Sequence, residues 1–195
     1  MRFSEISIHL SKFRVGIAGA GGLGSNCAAA LARSGVGTLV ISDFDTLEKA
    51  NINRQFYFAD QIGMQKTEAL KMNIERINPK IKMIVHNTKL DKENIPVIYD
   101  GCDVIVEAFD SADMKEMLIS TVQTLMPGIP VVVGSGMAGW GNNEIIKYRK
   151  IDDFLYVCGD EITEVSEEAP PMAPRVGIVS HMQANVVIDI LMKKR

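Results

Sequence analysis

Short apolar runs alternate along the chain with longer segments whose apolar residues recur at helical spacing. Runs of four or five apolar residues are typical of strands that are buried on both faces of a parallel sheet. The predicted strands are residues 15–18, 38–41, 81–85, 104–108 and 130–133.

The segments between these runs predict helices over residues 25–34, 66–78, 95–99 and 112–125, and a last helix from 175 to the terminus. In residues 66–78 the apolar positions fall on one side, and Pro79 marks the end of the helix. Strands that alternate with helices indicate parallel pairing through right-handed crossovers. We therefore expect an α/β, Rossmann-like doubly wound fold with a mostly parallel sheet, formed by a single domain over residues 1–195.

The later part of the chain has a different pattern. Residues 143–148 and 154–157 predict two short strands joined by a turn, which indicates an antiparallel C-terminal extension of the sheet. Residues 161–174 are acidic and contain three prolines, so we expect a mobile loop there. The apolar positions in residues 2–12 are too few to assign an element.

Composition and charge narrow the function classes. The chain has 195 residues, of which 47% are apolar, and a net charge of −3, which argues against an electrostatic nucleic-acid binder. No apolar run reaches the roughly 20 residues of a membrane span, and the start lacks a secretory pattern, so a cytoplasmic protein is expected. The three cysteines form no Cys-x-x-Cys pair, which excludes a four-cysteine zinc site.

A glycine-rich turn, residues 19–24 (GAGGLG), lies between the first predicted strand and its helix. Such a turn lets the backbone approach a phosphate at the positive end of the helix. Asp43 follows about twenty residues after the last glycine, the spacing of an acid that binds ribose hydroxyls; Asp45 is the competing candidate. Together they predict a site for an adenine nucleotide without specifying which one, and a tight strand–helix turn is the alternative.

Further motifs follow in a fixed order: residues 43–45 (DFD), 51–56 (NINRQF), 62–66 (IGMQK), 108–111 (AFDS) and 172–177 (MAPRVG). With the glycine turn, this order resembles the ThiF-like (ubiquitin-activating-enzyme-like) adenylyltransferase family, and within it the short bacterial branch. The resemblance covers almost the whole chain. Residues 51–55 are its most specific part, because a dinucleotide dehydrogenase has no need for them.

The resemblance implies a role for each matching residue. Asp43 would hold the ribose, the cations Arg54 and Lys66 would contact the triphosphate and act in catalysis, and Asp110 would be both catalytic and the ligand of Mg²⁺. The residues that would contact or border the nucleotide are Gly19, Gly21, Gly22, Gly24, Asp43, Asn51, Asn53, Arg54, Gln55, Lys66 and Ser111.

The reaction that the resemblance implies is ATP-dependent adenylation of the C-terminal glycine of a small β-grasp, ThiS-like sulfur-carrier protein in thiamine biosynthesis, with release of pyrophosphate. A carboxylate nucleophile is already ionised at neutral pH, so no general base is needed. Fixed cations and a metal are needed instead, because two anions must meet. The resemblance also implies a homodimer, and the missing cysteine pairs indicate that no zinc is bound.

Several alternatives remain open at this stage. Asp110 could be the N-cap of the helix that follows it, and Arg54 and Lys66 could be ordinary surface charges. Arg2 could act in the site of a neighbouring subunit, and Cys158 is the one cysteine to consider as a nucleophile. The whole chain could instead be an NAD-dependent oxidoreductase, or a non-catalytic scaffold that binds nucleotide and carrier.

Overall fold

A computed structural model describes residues 2–194 and contains one seven-stranded sheet in the order β3-β2-β1-β4-β5-β7-β6. Every neighbouring pair is parallel except β6 and β7, which are antiparallel. The strands are β1 (Arg14–Ala18), β2 (Thr38–Asp43), β3 (Lys82–Asn87), β4 (Val104–Glu107), β5 (Val131–Gly134), β6 (Lys147–Lys150) and β7 (Leu155–Gly159). The predicted fold class, including the antiparallel extension, is confirmed.

Helices cover both faces of this sheet. They are α1 (Phe3–Leu10), α2 (Gly22–Ser34), α3 (Lys66–Ile77), α4 (Ile95–Ile98), α5 (Ala112–Leu125) and α6 (Ala173–Lys193). Successive side chains of a strand point to opposite faces, so Ile17 packs with α2, α3 and α6, whereas Ala18 packs with α4 and α5. This arrangement explains why the central strands are apolar without alternation.

The order of the strands reverses at β1, because β2 lies on one side of β1 and β4 on the other. In open parallel sheets the crevice at such a switch point is where ligands bind, outside the carboxyl ends of the strands. The glycine turn leaves β1 at this edge, and the segment with Asp110 leaves β4 at the same edge. The topology therefore places the two motifs next to each other.

The C-terminal hairpin differs in detail from its prediction. Residues 143–148 do not form one strand, because Asn142 has a left-handed backbone (φ 50°) and Asn143–Ile145 forms a turn of 3-10 helix. Strand β6 begins only at Lys147, where it pairs with Gly159. Strand β2 extends through Asp43, paired with Asn87, so Asp43 ends the strand and does not follow it.

The segments near the two ends of the chain are also more ordered than their patterns indicated. Residues 2–12 contain α1, which packs against α6. Helix α6 begins at Ala173 and not at 175, with Pro174 in the first turn, where a missing N–H costs nothing. It ends at Lys193, and the predicted continuation is wrong at Lys194, which is the C-cap and has an extended backbone. The last predicted residue, Arg195, lies outside the described residues.

The acidic loop 161–174 is anchored at both ends. Asp160 accepts hydrogen bonds from the backbone N–H groups of Ile162 and Thr163, and it forms a buried ion pair with Arg175. Near the other end, Gly139 N–H donates to the carbonyl oxygen of Pro170 at 2.9 Å. The expectation that the loop is mobile stays a prediction and concerns the residues between these anchors.

No helix in residues 2–194 is both long and apolar enough to cross a membrane.

We expect Leu118→Ala to lower the free energy of unfolding by about 2–5 kcal/mol, because Leu118 is fully buried between α5 and the sheet. Leu125, on the same helix, is 56% exposed, so Leu125→Ala is the matched control and should change the free energy by less than about 0.5 kcal/mol. Urea denaturation of both variants measures the difference, and equal effects would contradict this packing.

Candidate nucleotide-binding site

The glycine turn is held in a shape that side chains would prevent. Gly19 has φ +100°, and a methyl group at Gly24 would lie 1.9 Å from the carbonyl oxygen of Gly19. Gly21 is the N-cap of α2 and supplies no side-chain hydrogen bond to the first turn of that helix. The turn thus leaves backbone N–H groups and the positive end of α2 available to an anion.

Asp43 ends β2 directly beside this turn. One carboxylate oxygen, Oδ2, accepts a hydrogen bond from Ala20 N–H at 2.7 Å, and Oδ1 accepts one from Asp45 N–H at 2.8 Å. Burial raises the pKa of Asp43, and these two hydrogen bonds lower it only in part. Each carboxylate oxygen can accept a further hydrogen bond, which suits a ribose hydroxyl.

Lys66 is the first residue of α3 and is only 6% exposed. Its Nζ lies 2.5 Å from Oδ2 of Asp45, and its backbone N–H donates to the carbonyl oxygen of Asp45 at 3.0 Å. The alternative in which Lys66 is an ordinary surface charge is therefore wrong. The same contact engages Oδ2 of Asp45, the competing candidate for the ribose, and the choice between Asp43 and Asp45 stays a prediction.

Residues 51–55 form a tight turn whose side chains are partly engaged with each other. Oδ1 of Asn51 accepts from Glu48 N–H at 2.9 Å and caps a turn of 3-10 helix. Arg54 Nη1 donates to the carbonyl oxygen of Ala50 at 3.1 Å and to Oδ1 of the exposed Asn53 at 2.9 Å. The Nδ2 groups of Asn51 and Asn53, the Nε2 group of Gln55 and the remaining guanidinium N–H groups of Arg54 have no hydrogen-bond partner among the described residues, so they are free to contact phosphate.

The amide side chains of Asn26 and Gln55 lie between this turn and the start of α2. Asn26 Nδ2 donates to the carbonyl oxygens of Gly22 (2.7 Å) and Arg54 (2.9 Å). The stem of Arg54 passes 3.7 Å from the position that a methyl group on Gly22 would occupy. Gln55 is 8% exposed, its Nε2 lies 3.8 Å from the methyl position of Gly21, and its buried Oε1 has no partner in the described residues. Gln55 and Arg54 thus border the glycine turn.

Asp110 reaches the same edge from the end of β4. A methyl group at Gly19 would lie 2.8 Å from the carbonyl oxygen of Ala108, so the turn after β4 packs against the glycine turn. Asp110 is exposed, and its carboxylate forms no hydrogen bond or ion pair with any other described residue. The N-cap of α5 is Ser111, whose Oγ accepts from Met114 N–H. The alternative in which Asp110 is that N-cap is wrong.

The described residues contain no cluster of three or more His, Cys, Asp or Glu side chains that could hold a metal. Mg²⁺ bound with a nucleotide needs only one or two carboxylates, since phosphates and water supply its other ligands. The exposed and unpaired carboxylate of Asp110 fits that need.

Arg2 and Cys158 are two further candidates from the sequence. Arg2 directly precedes α1, and Ser7 of α1 packs against Gly35 at the far end of α2, about 20 Å along that helix from the glycine turn. Arg2 therefore lies away from the site of its own chain, and its role in the site of a neighbouring subunit stays a prediction. Cys158 is buried, and burial raises the pKa of its thiol to about 12, so it lacks the thiolate that a nucleophile needs.

Sequence reasoning missed the residues that hold these motifs together. Ser25 Oγ donates to the carbonyl oxygen of Gly21 at 2.6 Å and accepts from Phe56 N–H at 2.9 Å. The buried hydroxyl of Tyr57 donates to the carbonyl oxygen of Ala20 at 2.7 Å and lies 3.2 Å from that of Lys66. For Ser25 and Asn26 the sequence offers one signal, because they are polar residues in the first turn of the otherwise apolar helix α2. No comparable signal indicates Tyr57.

Comparisons with known proteins agree with this geometry. The ThiF family matches residues 5–195. The chain is 33% identical over 193 residues to an adenylyltransferase and sulfurtransferase MOCS3 of Caenorhabditis briggsae, covering 95% of this chain and 47% of that protein. It is 30% identical over 182 residues to a molybdopterin-synthase adenylyltransferase of Haemophilus influenzae, covering 91% of this chain and 74% of that protein. The chain thus spans about half the length of the first of these curated relatives and most of the second.

Among solved structures, the fold is similar to that of a tRNA N6-threonylcarbamoyladenosine dehydratase, TcdA, of E. coli in complex with ATP. The TM-score is 0.86 at 21% identity, and the match covers 96% of this chain and 89% of that chain. At this identity the match supports the fold alone.

We expect Asp45→Asn to destabilise the nucleotide-free protein by about 1 kcal/mol, because Lys66 loses its carboxylate partner at a half-exposed position. A triphosphate beside Lys66 would replace the lost negative charge. The rise in melting temperature on addition of ATP should therefore be larger for this variant than for the unsubstituted protein. Asp60→Asn, at an exposed position in the same segment, is the control, and an unchanged or smaller rise for Asp45→Asn would place the triphosphate away from Lys66.

Proposed function

Because this chain belongs to the ThiF family, we propose that it is a nucleotidyltransferase that uses ATP to adenylate the C-terminal carboxylate of a small β-grasp sulfur-carrier protein and releases pyrophosphate. One observation carries this proposal. The glycine turn, the nearly buried Lys66 and the unpaired carboxylate of Asp110 lie at one edge of the sheet. The names of the curated relatives, which are adenylyltransferases, support it.

The residues around the glycine turn would bind and orient the nucleotide. The N–H groups at the start of α2 would face its phosphates, and Asp43 would accept hydrogen bonds from the ribose. Asn51 and Gln55 have amide groups that can donate without adding charge, and Asn53 and Ser111 would border the nucleotide. These contacts would hold the α-phosphate in a fixed position for attack, and positioning of this kind supplies a large part of the catalysis of phosphoryl transfer.

The chemical step needs electrostatic stabilisation and no proton transfer. The attacking group is a carboxylate that is ionised at neutral pH. Arg54 and Lys66 would offset the charge that grows on the departing pyrophosphate, and removal of one such group in other enzymes costs about 10²–10³-fold in rate. Mg²⁺ held by Asp110 would supply further positive charge next to the phosphates. An arrangement without a nucleophilic side chain is consistent with this reaction.

The identity of the carrier is the finer part of the proposal. We propose a ThiS-like carrier of thiamine biosynthesis, a cytoplasmic location and a homodimer. The Haemophilus influenzae relative is named for molybdopterin synthesis, so carriers of both kinds should be compared. Mass spectrometry of each candidate carrier after incubation with the protein, ATP and Mg²⁺ would detect an added AMP on the true substrate.

An NAD-dependent oxidoreductase is the weaker alternative, because it would leave Lys66 and Arg54 without a function. A scaffold that binds nucleotide and carrier would have the same contacts and would release no pyrophosphate. Calorimetry that compares the binding of ATP with Mg²⁺ to the binding of NAD⁺ distinguishes the adenylyltransferase from the oxidoreductase. Release of pyrophosphate in the presence of the carrier distinguishes the adenylyltransferase from the scaffold.

We expect Asp110→Ala to reduce carrier-dependent exchange between ATP and pyrophosphate by about 10²-fold or more, because the nucleotide would lose its protein-held metal. Asp113→Ala is the control, since Asp113 is another exposed acid in the first turn of α5 and should retain the exchange within a few fold. Full exchange with Asp110→Ala would remove the metal assignment.

A further inference from the structure

A carboxylate lies inside the fold three residues before Asp110. Glu107 ends β4 and is 0% exposed. Burying a charged group costs free energy unless it is paired and hydrogen-bonded, so a carboxylate at such a position needs a reason. Burial raises the pKa of Glu107, while Lys115 and nearby backbone N–H groups lower it in part.

Glu107 is bonded at both carboxylate oxygens. Oε2 forms an ion pair with Nζ of Lys115 on α5, and this Nζ also donates to the carbonyl oxygen of Gly134 at 2.7 Å. Oε1 accepts a hydrogen bond from Phe109 N–H at 2.7 Å. The carboxylate of Glu107 thus connects the turn after β4 to α5, and through Lys115 it is also linked to the end of β5.

The backbone of this turn makes two further hydrogen bonds. Ala108 N–H donates to the carbonyl oxygen of Ala18 at 2.9 Å, and Gln183 Nε2 donates to the carbonyl oxygen of Glu107 at 2.8 Å. Asp110 itself has no side-chain partner in the described residues, so the direction of its carboxylate depends on the backbone of this turn. The hydrogen bond from Phe109 N–H to the side chain of Glu107 lies immediately before Asp110, closer along the chain than the contact made by Gln183.

We propose that Glu107 is a positioning residue for Asp110: it holds the Phe109 amide, and thereby aims the Asp110 carboxylate at the nucleotide site, while Lys115 keeps Glu107 in place. The inference rests on the proposed function, because it assigns Asp110 to the metal that accompanies ATP. A displacement of about 1 Å in such a group is enough to cost about 10²-fold in rate.

Two double variants isolate the hydrogen bond to Phe109. Glu107→Gln with Lys115→Met keeps an oxygen acceptor for Phe109 N–H, whereas Glu107→Met with Lys115→Met removes it. Both lack the ion pair and the contact of Lys115 to Gly134, so the variants differ in the acceptor for Phe109 N–H and in the amide NH₂ group that Glu107→Gln adds. Replacement of a whole buried ion pair by apolar residues is often neutral for folding, and thermal melting checks this for each variant.

The measured quantity is the factor by which Mg²⁺ tightens ATP binding in calorimetry. We expect the Met/Met variant to lose about tenfold or more of this factor, with Mg²⁺-free ATP affinity unchanged, and the Gln/Met variant to stay within about threefold of the unsubstituted protein. Equal values for the two variants, whether both retained or both lost, would overturn the role of the Phe109 hydrogen bond.

A second measurement needs no variant. The Phe109 amide should exchange its hydrogen more slowly than the Ser111 amide of the same turn in nuclear magnetic resonance of the unsubstituted protein, because only the former is bonded to a buried carboxylate. Rapid exchange at Phe109 would overturn the inference. If the unsubstituted protein shows no effect of Mg²⁺ on ATP binding, the proposed function fails. The comparison of hydrogen exchange at the Phe109 and Ser111 amides still tests whether Glu107 holds the turn.

Discussion

The contact between Gly24 and the carbonyl oxygen of Gly19 is the constraint on which the candidate site depends. A side chain at Gly24 would collide with this oxygen, so α2 could not begin so close to the end of β1, and a side chain at Gly19 would collide with the carbonyl oxygen of Ala108. Because β1 is the strand at which the order reverses, the start of α2 faces the crevice between β1 and β4. The remaining site residues come from segments that are tied to this turn, through Asn26 to Arg54, through Tyr57 to Lys66 and through Ala108 to Asp110.

Ion pairs near this edge of the sheet fix the positions of charged side chains in the absence of a ligand. Lys66 is held by Asp45, and Glu107 is held by Lys115. Compared with apolar packing, a pair of this kind adds little to stability, but it fixes the positions of the two side chains. Asp110 is the exception, since its carboxylate has no partner in residues 2–194. A polyanion that binds here meets two acids, Asp43 and Asp110, as well as the cations, which is consistent with a requirement for a divalent metal.

The sequence predicted the parallel strands and most helices, because buried strands and amphipathic helices have local patterns. The convergence of the glycine turn and Asp110 also follows from the predicted strands, because the carboxyl ends of parallel strands share one edge. Sequence reasoning failed where a contact between distant segments decides the structure. Asp43 continues β2 because β3 pairs with it. Strand β6 starts late for a local reason that the pattern did not reveal, the left-handed backbone of Asn142. Glu107 looked like part of an apolar strand, and its partner Lys115 is a helical residue whose direction no local pattern reveals.

The central claim is that the phosphates of ATP lie where Lys66, Arg54 and Asp110 meet, at the carboxyl ends of β1 and β4. A crystal structure with ATP and Mg²⁺ tests it most directly. We predict phosphate oxygens at about 3 Å from Lys66 Nζ and from the guanidinium of Arg54, and a metal between Asp110 and the phosphates. Phosphates far from both cations, with the carboxylate of Asp110 turned away from them, would contradict the account.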